Sequence, residues 1–178
     1  ALKAADRDGR VIYLGSLSKT LFPGLRLGYI VAPPDIIREA RALRRLMLRH
    51  PPSNNQRTVA IFLALGHHDA LISRLKRAYA QRWQALIMSF QQASEDVLGR
   101  PMRGGSSAWV DGPAGLDTAE LAKQALEHSV IIEPGAIYFA DQPAPRNYYR
   151  LGFSSIDAKR IPAGIEILAR LVDEQINC

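Results

Sequence analysis

The 178-residue chain carries 23 Lys and Arg against 17 Asp and Glu, a formal charge of +6, with 47% hydrophobic and 22% charged residues. That is the length of one domain or two small pieces and the composition of a globular protein, which excludes a mainly disordered or fibrous chain. No run approaches the roughly 18 to 20 consecutive apolar residues of a membrane helix, and the single cysteine, Cys178, stands at the end, so no internal disulfide forms and a reducing, cytoplasmic compartment is expected.

The chain opens at Ala1 without an initiator Met and soon enters a strand pattern, as expected of a piece of something longer. Val11-Ile12-Tyr13-Leu14 is a short apolar run after Gly9-Arg10, the pattern of a buried parallel strand. A polar loop from Gly15 to Gly24 follows, then a second strand from Leu25 to Ala32, closed by Pro33-Pro34. Asp35 is placed to cap a helix that Pro51-Pro52 terminates. That helix sets Arg38, Arg41, Arg44, Arg45 and Arg49 against Ile36, Ile37, Ala40, Leu43, Leu46 and Met47 at helical spacing. The arginines therefore read as the solvated face of an amphipathic element. A nucleic-acid stripe is the weaker alternative, and it predicts a salt-dependent affinity that falls when two of them are neutralised.

Residues Asn54 to Leu65 read as helical, with Gly66 ending them. From Asp69, the positions Leu71, Leu75, Ala78, Tyr79, Leu86 and Phe90 predict one long amphipathic helix that stops before Gly99-Arg100-Pro101, with Trp83 beside its apolar stripe as a packing residue. Beyond it, Ala108-Trp109-Val110, Val130-Ile131-Ile132 and Tyr148-Tyr149-Arg150-Leu151 are strand-like. A helix from Ala119 to His128 lies among them, for which Asp117 and Glu120 suggest a capping box. A final helix carries Ile161, Ile165, Leu168 and Val172 on one face. Two architectures thus stand in series, divided after Gly66, and the first has too few strands to close a sheet of its own.

The loop from Gly15 to Tyr29 carries the most chemistry. It sets the amine of Lys19 beside Ser16, Ser18 and Arg26. A lysine amine forms a Schiff base with an aldehyde when desolvation and nearby positive charge lower its pKa. Hydroxyls and a guanidinium hold a phosphate, and an aldehyde that carries a phosphate is pyridoxal 5′-phosphate. A solvated turn lysine with an incidental arginine has the same spacing, so the residues alone leave both readings open. His67-His68-Asp69 is no metal site, because adjacent helical side chains diverge by about 100° where ligands need a spacing of three or four. Gly104-Gly105-Ser106-Ser107 lacks a Gly-Lys-Ser/Thr ending and reads as a turn into a strand. Cys178 has no visible histidine partner and is no nucleophile.

Ser16-Leu17-Ser18-Lys19 followed by Pro23-Gly24-Leu25-Arg26-Leu27-Gly28-Tyr29 resembles the cofactor-lysine segment of fold type I, aspartate-aminotransferase-like enzymes. Within that group, the run from Ala5 to Gly15 and the stretch from Lys19 to Gly24 are similar to the aminotransferase-like domain of MocR-type regulators, which belong to the GntR transcription factors. Gly66-His67, Pro134-Gly135 before Tyr138, and Arg150-Leu151-Gly152-Phe153-Ser154 extend the resemblance over essentially the whole chain.

The resemblance implies an α/β fold, the C-terminal part of a pyridoxal-phosphate-dependent transferase. Residues 1–66 would be the end of the large cofactor-binding domain with linking helices, and 67–178 the small α+β domain. It implies Lys19 as the catalytic residue, forming the Schiff base and then moving a proton at the substrate carbon, work worth on the order of 100- to 10,000-fold. Ser16, Ser18 and Arg26 would hold the cofactor phosphate, and Arg150 the carboxylate of an amino acid or amino compound, for which its planar fork is suited. It further implies a homodimeric parent that reaches DNA only through a missing N-terminal domain, with no membrane contact. Two functions share these residues: a regulator that senses the cofactor or an amino compound, and a free-standing aminotransferase passing an amino group from an α-amino acid to a 2-oxo acid. The flanks of Lys19 favour the regulator, and an enzyme would be inactive as this fragment alone. In the family, a carboxylate for the pyridine nitrogen and an aromatic for the ring face come from upstream of the lysine. Asp6 and Asp8 belong to the turn before the first strand, so the chain alone is expected to hold the cofactor weakly or not at all.

Overall fold

In the computed structural model, which describes residues 2–50, 52–93 and 98–177, the chain divides into one unit up to Ser73 and another from Arg74. The first contains α1 (Leu2–Ala5), β1 (Tyr13–Ser16), β2 (Gly28–Val31), α2 (Pro34–Leu48), α3 (Ser53–Ala64) and the opening of α4 (His67–Ala93). Ahead of β1, the Asp6 carboxylate accepts from Lys3 Nζ at 2.8 Å and from the backbone N–H groups of Arg10 and Val11 at 3.0 Å each. Those bonds, Lys3 foremost, hold its carboxyl at about 2 and tie the turn that leads into the strand.

β1 is not the buried parallel strand its apolar run suggests. It pairs antiparallel with β2, Tyr13 opposite Val31 and Ser16 opposite Gly28, in a two-stranded ribbon. Leu14 is 71% exposed, and Tyr13, Ile30 and Val31 are exposed with it. An apolar run reports a segment suited to burial; it carries no information on strand direction or on which segment supplies the cover. The same holds for α2, which has no buried residue although its apolar face is well formed: Leu46 is 82% exposed. Asp35 does not cap α2 either. Pro33 is the N-cap, without a side-chain bond, and Asp35 lies in the first turn, where its charge favours the helix dipole. The Pro51-Pro52 stop lies partly outside the described residues. α3 closes at Gly66, whose φ of +74° is the left-handed conformation glycine adopts without a Cβ clash.

The second unit holds the rest of α4, then β3 (Arg100–Gly104), β4 (Ser107–Asp111), α5 (Thr118–Glu127), β5 (Glu133–Pro134), β6 (Tyr148–Gly152) and α6 (Ile161–Asn177). The four strands form one antiparallel sheet in the order β3-β4-β6-β5. β3 was unreadable in sequence, because Gly99, Arg100 and Pro101 look like a break; its pairing with β4 across a turn at Gly105 supplies the ladder. The strand expected at Val130 to Ile132 begins instead at Glu133, where pairing to Arg150 starts, while Ile132 turns inward and Ile131 outward. Asp117 caps α5 by accepting from the N–H groups of Ala119 (3.0 Å) and Glu120 (3.4 Å). The reciprocal half of the capping box comes from elsewhere: the N–H of Asp117 donates to Gln175 of α6 at 2.8 Å, and Glu120 pairs with Lys123.

The core lies between one face of this sheet and the helices. Ala108 and Val110 of β4 and Tyr149 and Leu151 of β6 meet Ile165, Leu168 and Val172 of α6, with Leu121 and Ala125 of α5 and Leu86 and Phe90 of α4 around them. Trp83 packs at its edge, its ring 5.8 Å from that of Phe153. Tyr149 is fully buried and donates to the Leu98 carbonyl at 2.9 Å, and burial pushes its hydroxyl well above the ordinary tyrosine pKa. Cys178 lies outside the described residues, among which no helix is long and apolar enough to cross a membrane.

Leu168→Ala should lower the stability of the second unit by about 2–5 kcal/mol through the cavity it leaves. Ile131→Ala, at an exposed position, should change it by no more than about 0.5 kcal/mol. Urea unfolding followed by the fluorescence of Trp83 and Trp109 checks both.

Candidate functional site

The connection between β1 and β2 begins as a continuation of their ladder, the Leu17 N–H donating to the Leu27 carbonyl at 3.0 Å. A single turn follows, closed by Leu21 N–H to Leu17 O at 2.9 Å and by the Thr20 hydroxyl on the same carbonyl at 3.3 Å. Ser18 and Lys19 ride on that turn. A 3₁₀ turn over Pro23–Leu25 comes next and ends at Arg26, which takes left-handed φ 49°, uncommon outside glycine. Leu25, 2% exposed, anchors the loop, and its carbonyl accepts from Asn55 Nδ2 of α3 at 3.2 Å. Gly15 lies opposite Tyr29, whose ring crosses over it; a β-carbon at Gly15 would occupy the ring's place.

Ser16, Ser18, Lys19 and Arg26 are therefore carried by the end of one strand and one short connection. Lys19 and Arg26 are exposed and Ser18 is half-buried. Among the described residues, no hydrogen bond or ion pair engages any of these four side chains, so one amine, two hydroxyls and one guanidinium keep their full bonding capacity. A ligand with an aldehyde and a phosphate requires such a donor set, and pyridoxal 5′-phosphate fits it. Asp6 offers that ligand nothing, since its carboxylate is engaged by Lys3, Arg10 and Val11.

Arg150 sits in the second unit, in β6, opposite Trp109 of β4 and Glu133 of β5. It is not a bare strand-end arginine. Its Nη1 donates to both carboxylate oxygens of Glu133, at 2.8 and 2.7 Å, and its Nε donates to the Ser107 hydroxyl at 3.1 Å. The Tyr138 hydroxyl donates to the same carboxylate at 2.7 Å. Tyr138 first and Arg150 second hold the Glu133 carboxyl below the ordinary glutamate value. Around this cluster stand aromatic rings: Tyr148 stacks on Trp109 at 5.8 Å, and Tyr138 meets Trp109 edge-on at 5.6 Å.

Other features of the two units lie apart from this chemistry. A cavity of about 360 Å³ in the second unit is lined by Leu86, Ile131, Phe153, Ile165 and Leu168, among others, and by none of the candidate residues. His68 approaches Asp69 at 3.7 Å and His67 packs on Phe62, and no group of three or more metal-ligating side chains occurs among the described residues. Sequence reasoning missed Glu133, Tyr138, Ser107 and Trp109 as neighbours of Arg150. The alternation in β6 gives the side of the sheet on which Arg150 lies, but pairing across strands is long-range information that no local pattern holds.

The sequence profile of the family described as aminotransferase class I and II matches residues 1–168. The HTH-type transcriptional regulator TauR of Rhodobacter capsulatus is 46% identical over 170 residues, which are 96% of this chain and 35% of that protein. LysN, the alpha-aminoadipate aminotransferase of Thermus thermophilus solved with N-(5′-phosphopyridoxyl)-L-leucine, superposes with a TM-score of 0.84 at 32% identity, over 99% of this chain and 45% of its own. A multiple substrate aminotransferase from Thermococcus profundus gives a TM-score of 0.88 at 27% identity, over 99% of this chain and 44% of its own. The chain belongs to the class I and II aminotransferases and has part of their fold type I architecture, spanning between 35% and 45% of the length of these relatives.

A depressed glutamate makes its contribution to stability above the ordinary glutamate pKa, and loses it as the pH falls through the lower, folded value. Carboxyl carbon NMR through an acid titration should find Glu133 titrating below the exposed glutamates, and Tyr138→Phe should move it up towards them. A Glu133 that titrates with the exposed glutamates in both proteins would contradict the geometry.

Proposed function

We propose that this chain is the lysine-bearing and small-domain part of a pyridoxal-phosphate-binding, aminotransferase-like domain of a MocR/GntR-type transcriptional regulator. Lys19 takes the cofactor aldehyde as a Schiff base, and Ser16, Ser18 and Arg26 hold its phosphate. The observation that carries this reading is the unengaged amine and its anion-binding neighbours on one short, anchored connection between paired strands. The 46% identity with TauR over nearly the whole chain supports the regulator in particular. The chain covers 35% of that protein, so DNA contact through a further domain and pairing into a homodimer are parts of the proposal.

The bound cofactor would supply an electron sink. The residues of this chain do the rest. The Lys19 amine would move a proton at the ligand carbon that bears the amino group. Arg150 takes the ligand's carboxylate in the second unit. In a regulator, the amino compound shifts the attached DNA-binding part only so far as it binds one arrangement better than another, since equal affinity shifts nothing.

A free-standing aminotransferase is the second reading, favoured by the similarity to LysN and the Thermococcus profundus enzyme. The two readings separate on whether the protein as encoded by its gene turns amino acids over in half-reactions or instead changes its DNA affinity with pyridoxal phosphate. Both demand Lys19. Titrating pyridoxal phosphate into that protein should raise a visible imine band that Lys19→Ala abolishes, and Arg26→Ala should weaken cofactor binding on the order of 10- to 100-fold. An undiminished band in Lys19→Ala would contradict the assignment.

A further inference from the structure

The guanidinium of arginine grips a carboxylate in a fork along one of two edges, Nε with Nη2 or Nη1 with Nη2. In Arg150, each edge is already half occupied. Ser107 accepts from Nε at 3.1 Å, and Glu133 takes Nη1 with both of its oxygens, at 2.8 and 2.7 Å. Nη2 donates to neither Ser107 nor Glu133, and the Tyr138 hydroxyl lies against the same guanidinium. The Ser107 hydroxyl is neutral and can rotate, so it yields its edge to an anion at little cost. Glu133 is a charged carboxylate whose Oε2, already held by Arg150, also accepts from Tyr138 at 2.7 Å.

We propose that Glu133 is a specificity-determining residue: a resident carboxylate that occupies Arg150 and lowers its affinity for simple carboxylates. This rests on the reading of Arg150 as the grip for a ligand anion. An incoming carboxylate must displace Glu133 to gain the Nη1–Nη2 fork, or displace the Ser107 hydroxyl and take the Nε–Nη2 fork beside a like charge. The site therefore favours amino compounds whose acid group binds strongly enough to evict Glu133 or to bear its charge, or whose amino group is itself placed to meet the glutamate. It disfavours small monocarboxylates that have neither property. The pair is half exposed, with side-chain accessibilities of 37% for Arg150 and 49% for Glu133, so the discrimination is modest rather than absolute.

Acetate is a suitable probe, because it has no amine and its binding needs no cofactor. Trp109 lies opposite Arg150 and reports through its indole ¹⁵N resonance, assigned by its loss in Trp109→Phe against that of the other tryptophan, Trp83. With chloride exchanged for acetate at constant ionic strength, Glu133→Gln keeps the shape of the side chain and removes its charge. It should bind acetate roughly two- to fivefold more tightly than the unaltered chain. Tyr138→Phe, which frees Glu133 from its second anchor, should give a smaller gain, and Arg150→Gln should abolish the shift. Equal or weaker binding by Glu133→Gln, or no saturable shift in it, overturns the proposal; if that variant does not fold, the same outcomes in Tyr138→Phe overturn it. The Lys19 imine band is read in a separate experiment with pyridoxal phosphate, so failure here leaves the cofactor assignment standing, and failure there leaves this binding result intact.

Discussion

The two-residue alternation of β6 is the constraint on which the second unit depends. Tyr149 and Leu151 are committed to the core against α6, so Tyr148 and Arg150 must stand on the opposite side of the sheet. The buried hydroxyl of Tyr149, satisfied by the Leu98 carbonyl, ties that commitment to the segment ahead of β3. A slip of one residue would bury the Arg150 guanidinium and expose an aromatic core residue, which makes the register costly to change. With the register set, Trp109 and Glu133 arrive opposite Arg150 from the two neighbouring strands, and the cluster of charge and aromatic rings follows.

The first unit solves a different problem. Its paired strands hold a short connection whose polar side chains stay unengaged, because the backbone of the loop satisfies itself. Leu17 closes both the ladder to Leu27 and the turn under Lys19, while Leu25 and Asn55 fasten the far end. Local bonding is thus met without drawing on the side chains of Ser16, Ser18, Lys19 or Arg26. Arg26 takes the left-handed backbone conformation that residues with a side chain adopt uncommonly.

Much of this was legible in the residues. The long helix, the Asp117 cap, the Gly66 stop and the apolar stripe of the last helix follow from periodicity and turn chemistry. What was not legible is long-range. The pairing of β1 with β2 in antiparallel sense, the existence of β3 behind a glycine and a proline, and the place of Gln175 in the α5 cap are set by partners far along the chain. The exposed apolar sides of β1 and α2 show a further limit: amphipathic spacing records that a face is suited to burial, and is silent on what buries it. Glu133 escaped notice for the same reason, since nothing in Ile132-Glu133-Pro134 says that an arginine seventeen residues later will meet it.

In the function proposed, Lys19 and no other amine receives the aldehyde of pyridoxal phosphate. The chain has five lysines, Lys3, Lys19, Lys76, Lys123 and Lys159. Reducing the cofactor-treated protein with borohydride and mapping the phosphopyridoxyl group by peptide mass spectrometry reads the site directly. The label is expected on the peptide carrying Lys19 at a cofactor concentration that leaves the other four unmodified. A label spread over the lysines in proportion to their exposure, or concentrated on any of the other four, would contradict it.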